Sequence, residues 1–235
     1  MLAPVPALAA SYNQNHMLSR PCHSSRVRLS LAAVLLLLPA LCLAGKHFVM
    51  PAPRAAKTYP AHDEHPDEGV TVGLDPYDMA DKASIFSVRY SEVGFMPIFV
   101  VITNDGNQPV SLTEATFQLV TVDRTKIPPA TEGDIYRRIT RPPASGPSTS
   151  PLPWPKKKGG VAKDAQDEVL NSQFAARAIE PHSTQCGFMF FDVSDISTPL
   201  AGAHFYLNRV LDAKGHELMY FDVPLEKYLS APTKP

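Results

Sequence analysis

Phe95-Met-Pro-Ile-Phe-Val-Val-Ile102 is an unbroken apolar run, the pattern of a strand covered on both faces. Pro97 offers no N–H to a ladder, so it belongs near the strand's start or on a sheet edge. Elsewhere apolar and polar positions alternate at the period of half-buried strands. Ile85-Phe-Ser-Val-Arg-Tyr90 does so, and between Val110 and Val122 the residues Phe117 and Leu119 share one face while Gln118 takes the other. Residues 188–193, 203–211 and 217–223 predict three more strands, the last two joined through Asp212-Ala-Lys-Gly-His216. Asn104-Asp-Gly-Asn-Gln-Pro109, rich in residues that tolerate positive φ, predicts a hairpin from the apolar run into residues 110–122.

Helical signals are few. Thr131 with Asp134 three residues later caps a short helix through Ile139, which Pro142 stops. A second helix is expected over residues 164–178, with Asp164, Asp167 and Glu168 at its positive end, Arg177 at its negative end, and Leu170, Phe174 and Ala178 repeating every four residues. Six or seven hairpin-linked strands with two inserted helices favour an antiparallel β-sandwich over any βαβ arrangement.

The remaining segments organise the chain around this domain. Arg26 and Arg28 lead into an apolar stretch, residues 29–38, followed by Pro39-Ala-Leu-Cys-Leu-Ala-Gly45, the three-part pattern of a secretory signal peptide. Cys42 and Ala44 are the small residues a signal peptidase inspects, so cleavage is expected between Ala44 and Gly45. Residues 1–16 form an upstream extension, Met17 is a second candidate start, and residues 17–44 are the signal. If retained, residues 29–45 carry no charge and approach the short end of spans that cross about 30 Å of hydrocarbon, giving an outward-facing membrane anchor. A lipid-acceptor role for Cys42 meets a bulky Leu41 where a small residue is wanted.

Residues 45–81, rich in Pro, His and acid, read as a spacer ending in a short edge strand near Val70-Thr-Val-Gly-Leu74. Residues 82–140 and 161–230 are then the two parts of the sandwich and residues 231–235 a tail. Between the two parts, residues 141–160 bury too little apolar surface to offset their ordering entropy and read as a disordered Pro/Ser/Lys insertion.

Composition narrows the function. A formal net charge of −1 gives no global electrostatic case for nucleic acid or an anionic membrane surface. Of three cysteines, Cys22 and Cys42 leave with the signal, so Cys186 cannot form an internal disulfide and reads as a buried small hydrophobe.

The segments 94–112, 179–191 and 217–229, about half the chain as strand-and-turn pattern, resemble uncharacterised bacterial exported proteins with an immunoglobulin-like sandwich. That resemblance implies an extracytoplasmic location, periplasmic or secreted, and a binding or structural role with an unknown protein or envelope component. It transfers no catalytic residue.

Candidate chemistry is sparse. His62-Asp-Glu-His65, followed by Asp67 and Glu68, has ligand types suited to zinc, which makes His62, Asp63 and His65 the candidate metal residues and an exported metal-binding protein or metal-dependent enzyme the alternative function. Its proline-bounded setting offers little to hold ligands in place, so a solvated acidic spacer is the leading reading. His216-Glu-Leu-Met-Tyr220 begins like a zinc-protease helix but has Tyr220 where the second histidine must be. Asp75, Asp78 and Asp81 lack the spacing of a calcium loop and read as a capped turn. No nucleophile elbow or phosphate loop is present, and no catalytic residue or cofactor is assigned. Lys156-Lys-Lys158 beside Trp154 reads as a solvated run, and Arg137 and Arg138, next to acids, as surface ion pairs rather than an anion site. The expectation is an exported, non-catalytic β-sandwich.

Overall fold

The computed structural model describes residues 48–140 and 161–231; the signal segment with Ala44 and Gly45, the insertion 141–160 and residues 232–235 lie outside the described residues. The strands are β1 (Ala61–His65), β2 (Val70–Pro76), β3 (Phe95–Asn104), β4 (Val110–Ser111), β5 (Thr116–Val120), β6 (Lys126–Ile127), β7 (Ala178–Ile179), β8 (Ser183–Asp192), β9 (His204–Asn208) and β10 (Phe221–Pro224). Among the described residues three short α-helices accompany them, α1 (Glu132–Thr140), α2 (Lys163–Ser172) and α3 (Glu226–Leu229). The paired strands run antiparallel in two four-stranded sheets, ordered β1-β2-β3-β8 and β10-β9-β5-β6, plus the small pair β4-β7. The protein is mostly β with few helices, an arrangement compatible with a β-sandwich.

β3 explains the layering. Its alternate residues Met96, Ile98, Val100 and Ile102 face the second sheet, where Leu119, Phe205, Leu207, Phe221 and Val223 complete a common core. Phe95, Phe99 and Val101 face the other way, with Phe188 and Phe190 of β8, into a separate core of Tyr59, Tyr77, Phe86 and Tyr90 closed by Ile135 of α1 and Val169 of α2. Both faces are covered, so all of β3 is buried, as its continuous apolar pattern requires. Pro97 lies near the start, where the Tyr77 N–H just beyond β2 donates to its carbonyl at 2.9 Å.

Five expectations need correction. Residues 61–76, assigned to a spacer with one edge strand, form the β1-β2 hairpin, and β2 is an interior strand between β1 and β3. The brief alternation Val70, Val72, Leu74 is enough to place three fully buried side chains in the main core. Residues 85–90 form no strand. They link the 3-10 turns Lys82–Ile85 and Tyr90–Val93, because the Glu168 carboxylate accepts the Ser87 and Val88 N–H groups that a ladder would otherwise use.

The turn at residues 104–109 forms. The Asn104 carboxamide accepts the Gly106 N–H at 2.9 Å and donates to the carbonyls of Gln108 and Ile179. It does not close a hairpin on β3, whose two sides are already taken by β2 and β8; the chain pairs β4 with β7 and enters the second sheet as β5. The second helix ends at Ser172 rather than Ala178, and its inward face is Ala165, Glu168, Val169 and Ser172, leaving Leu170 exposed. Tertiary pairing ends it: the Phe174 N–H donates to the Phe188 carbonyl at 3.0 Å, and Gly187 permits the approach, since a Cβ there would meet the Phe174 backbone at 2.4 Å.

β9 and β10 pair antiparallel but are shorter than the expected residues 203–211 and 217–223, β9 ending before Arg209 at φ 59°; the connection turns at Asp212, whose carboxylate accepts the His216 and Lys214 N–H groups and is held below the usual range mainly by the His216 bond. The two sheets do not close into a barrel. Where β1 meets β10, side chains replace the ladder: Asp63 accepts the Asp222 N–H at 2.9 Å and Glu68 the Met219 N–H at 2.8 Å. No helix among the described residues is long and apolar enough to cross a membrane.

Candidate functional site

α1 is set by a reciprocal cap. The Asp134 N–H donates to the Thr131 hydroxyl oxygen at 3.2 Å, while the Asp134 carboxylate accepts the Thr131 N–H at 3.2 Å and its hydroxyl at 2.7 Å. Those bonds, the Thr131 hydroxyl first, hold the Asp134 carboxyl below the usual carboxylate range. Fully buried Ile135 fixes the helix on the aromatic core, and the strip Pro128-Pro129-Ala130 is tied to β8 by the Ala130 N–H donating to the Phe190 carbonyl at 2.7 Å.

Between these elements lies a cleft of about 450 Å³ lined by Phe95, Ile127, Pro128, Pro129, Ala130, Asp134, Arg137, Arg138 and Asp192. Arg138 is pinned in it. Its guanidinium lies over the Phe95 ring at 5.4 Å, pairs with Asp192, and donates to the Ser194 hydroxyl at 2.7 Å. Gly94 makes room: at φ +82° it turns the chain into β3, and a Cβ there would meet Ser194 Oγ at 2.1 Å. Arg137 differs. It is 71% exposed and, among the described residues, pairs only with Asp134, at 2.5 Å.

The sequence-level candidates are scattered. His62 and His65 are three apart in β1 and face opposite sides. The ring of His62 meets the Tyr59 carbonyl at 2.6 Å, whereas His65 lies between Asp63 and Glu68 at 3.2 and 3.1 Å and stacks on Phe221 at 4.1 Å. Among the described residues no group of three His, Cys, Asp or Glu is placed to hold a metal ion. His62, Asp63 and His65 are therefore not one ligand set: Asp63 and Glu68 serve the seam to β10.

His216 and its neighbours form the loop before β10, not a helix. Asp75 pairs with Lys82 at 2.5 Å and Asp78 accepts the Tyr228 hydroxyl at 2.7 Å, so this acidic stretch holds α3 rather than sharing a cation. Cys186 is half-buried and burial pushes its thiol up. Arg137 and Arg138 do form ion pairs, but in the wall of a cleft that sequence reading did not anticipate. The one local signal was Pro128-Pro129 directly before the Thr131 cap; Phe95 at the start of β3 and Asp192 at the end of β8 are register partners far apart in the chain and gave none.

Fold and cleft define a mostly β, antiparallel domain with a mixed apolar and charged recess. No family model matches the chain, and neither a curated protein nor a solved structure matches it.

Proposed function

We propose that the protein is an exported, non-catalytic binding protein of the cell envelope, an immunoglobulin-like β-sandwich that receives its partner in the α1 cleft. The cleft itself carries the proposal: it combines an apolar floor with a few convergent polar groups, the composition of binding recesses. Its lining includes no Ser, Cys, His or Lys, and its two carboxylates are engaged, Asp134 by Thr131 and Arg137, Asp192 by Arg138 and Ser194. That arrangement suits recognition better than acid–base chemistry. Two four-stranded antiparallel sheets over a common core support the immunoglobulin-like reading. Export rests on the signal pattern before Gly45, with an outward-facing anchor as the form in which residues 29–45 are retained.

Cross-linking in intact envelopes around the tagged full chain tests this. A defined partner is expected with the natural chain and reduced recovery with Ala130→Trp, which fills the cleft. Recovery of nothing, or recovery indifferent to Ala130→Trp, overturns the proposal.

A further inference from the structure

The hydrogen-bond partners already taken in the cleft determine what it can recognise. Its carboxylate acceptors are nearly filled: one Asp134 oxygen takes both Thr131 donors and the other takes Arg137, while Asp192 takes Arg138 on one oxygen and the Ser194 N–H and hydroxyl on the other, of about four acceptor sites on each carboxylate. Its donors are not. A guanidinium carries five N–H groups in a planar fork, and the bond to Asp134 uses one of those on Arg137. The wall therefore has donors to give and few acceptors to offer, which selects an acceptor-rich ligand group.

Charge decides how much negative charge that group carries. Two arginines and two aspartates leave the lining formally neutral, so it accommodates a single negative charge more readily than a double one held close to Asp134 and Asp192. A carboxylate matches the free fork of Arg137 in shape and charge. The rest of the recess, Phe95, Ile127, Pro128 and Pro129, is apolar, and about 450 Å³ falls within the range of small-ligand sites. We propose that the cleft binds a carboxylate attached to an apolar body, with Arg137 as the carboxylate-binding residue. This rests on the binding reading above and names its ligand class. Two sources share the chemistry, a free apolar acid and the C-terminal carboxylate of a peptide ending in an apolar residue.

The test uses the full chain in calorimetric titrations with phenylacetate for the free acid, and with Ala-Ala-Phe in its free-acid and C-terminally amidated forms for the peptide end. At least one free carboxylate should bind saturably. Arg137→Gln should weaken it about tenfold or more, and Arg137→Lys, which keeps the charge but not the fork, should fall between. Arg137 is exposed, so both variants should keep the natural chain's thermal transition. Phenylacetate binding alone assigns free acids; tripeptide binding lost on amidation assigns peptide ends. No saturable binding of either acid, equal binding of the amide, or indifference to Arg137→Gln overturns the inference. If envelope capture still responds to Ala130→Trp in that case, the ligand class fails while the binding role stands.

Discussion

The carboxylate of Glu168, on a residue only 3% exposed, accepts the Ser87 N–H at 2.5 Å, the Ser87 hydroxyl at 2.6 Å and the Val88 N–H at 3.3 Å. One side chain thus joins α2 to the segment between the two 3-10 turns and supplies the acceptors that keep that segment from needing a sheet neighbour. Tyr90 lies beside it with its hydroxyl unpartnered among the described residues, and burial, then the Glu168 charge, pushes its phenol far above the ordinary value. Glu168→Ala removes the acceptor of three hydrogen bonds, from exposed Ser87 and half-buried Val88, whose donors water can partly satisfy, so a loss of roughly 2 kcal/mol is expected in urea unfolding. Glu168→Gln should lose less, because its amide oxygen still accepts. A loss below about 1 kcal/mol for the alanine variant would show that Ser87 and Val88 find other acceptors. In the sequence this residue was legible only as an acid near a helix start; its burial depends on a strandless segment about eighty positions away.

At the scale of elements, what is local was readable and what depends on a distant partner was not. The α1 cap is written in Thr131 and Asp134, β3 in its apolar run, and the β9-β10 turn in Asp212 and Gly215. The hairpin expected after Asn104 fails because β8, from the far half of the chain, already holds the place beside β3; the expected length of α2 fails because Phe174 bonds β8 instead. The α1 cap and the turns at Asp123 and Asp212 carry a pH signature. Asp134, Asp123 and Asp212 are held below the usual carboxylate range by the bonds of Thr131, Thr121 and His216 respectively. Around pH 4 the unfolded chain binds more protons at these positions than the folded one, so their stabilisation is complete above the unfolded value of about 3.9 and disappears as pH falls through the lower folded values. Melting temperatures recorded from about pH 6 downward should decline through this acid window, and Asp134→Asn should flatten the decline. A slope unchanged in that variant would mean that the cap is not proton-linked.

On the scale of the whole molecule, the mostly β antiparallel class was legible, since strand periods and turn residues recur along the chain. The cleft was not. Its lining draws on residue 95, residues 127–138 and residue 192, which meet only when β3 pairs with β8 and α1 docks on their aromatic face. The histidines that drew attention in the sequence instead belong to the β1 edge, where Asp63 and Glu68 satisfy β10 without a ladder. Recognition in the cleft, rather than on the face of β5 that carries Gln118, is the proposal on which the function rests. A photoreactive side chain placed at Pro128, compared with one at Gln118 in β5 and activated in intact cells, tests that most directly. A discrete adduct from position 128 and none from position 118 is expected; no adduct from 128, or the same adducts from both positions, overturns recognition in the cleft.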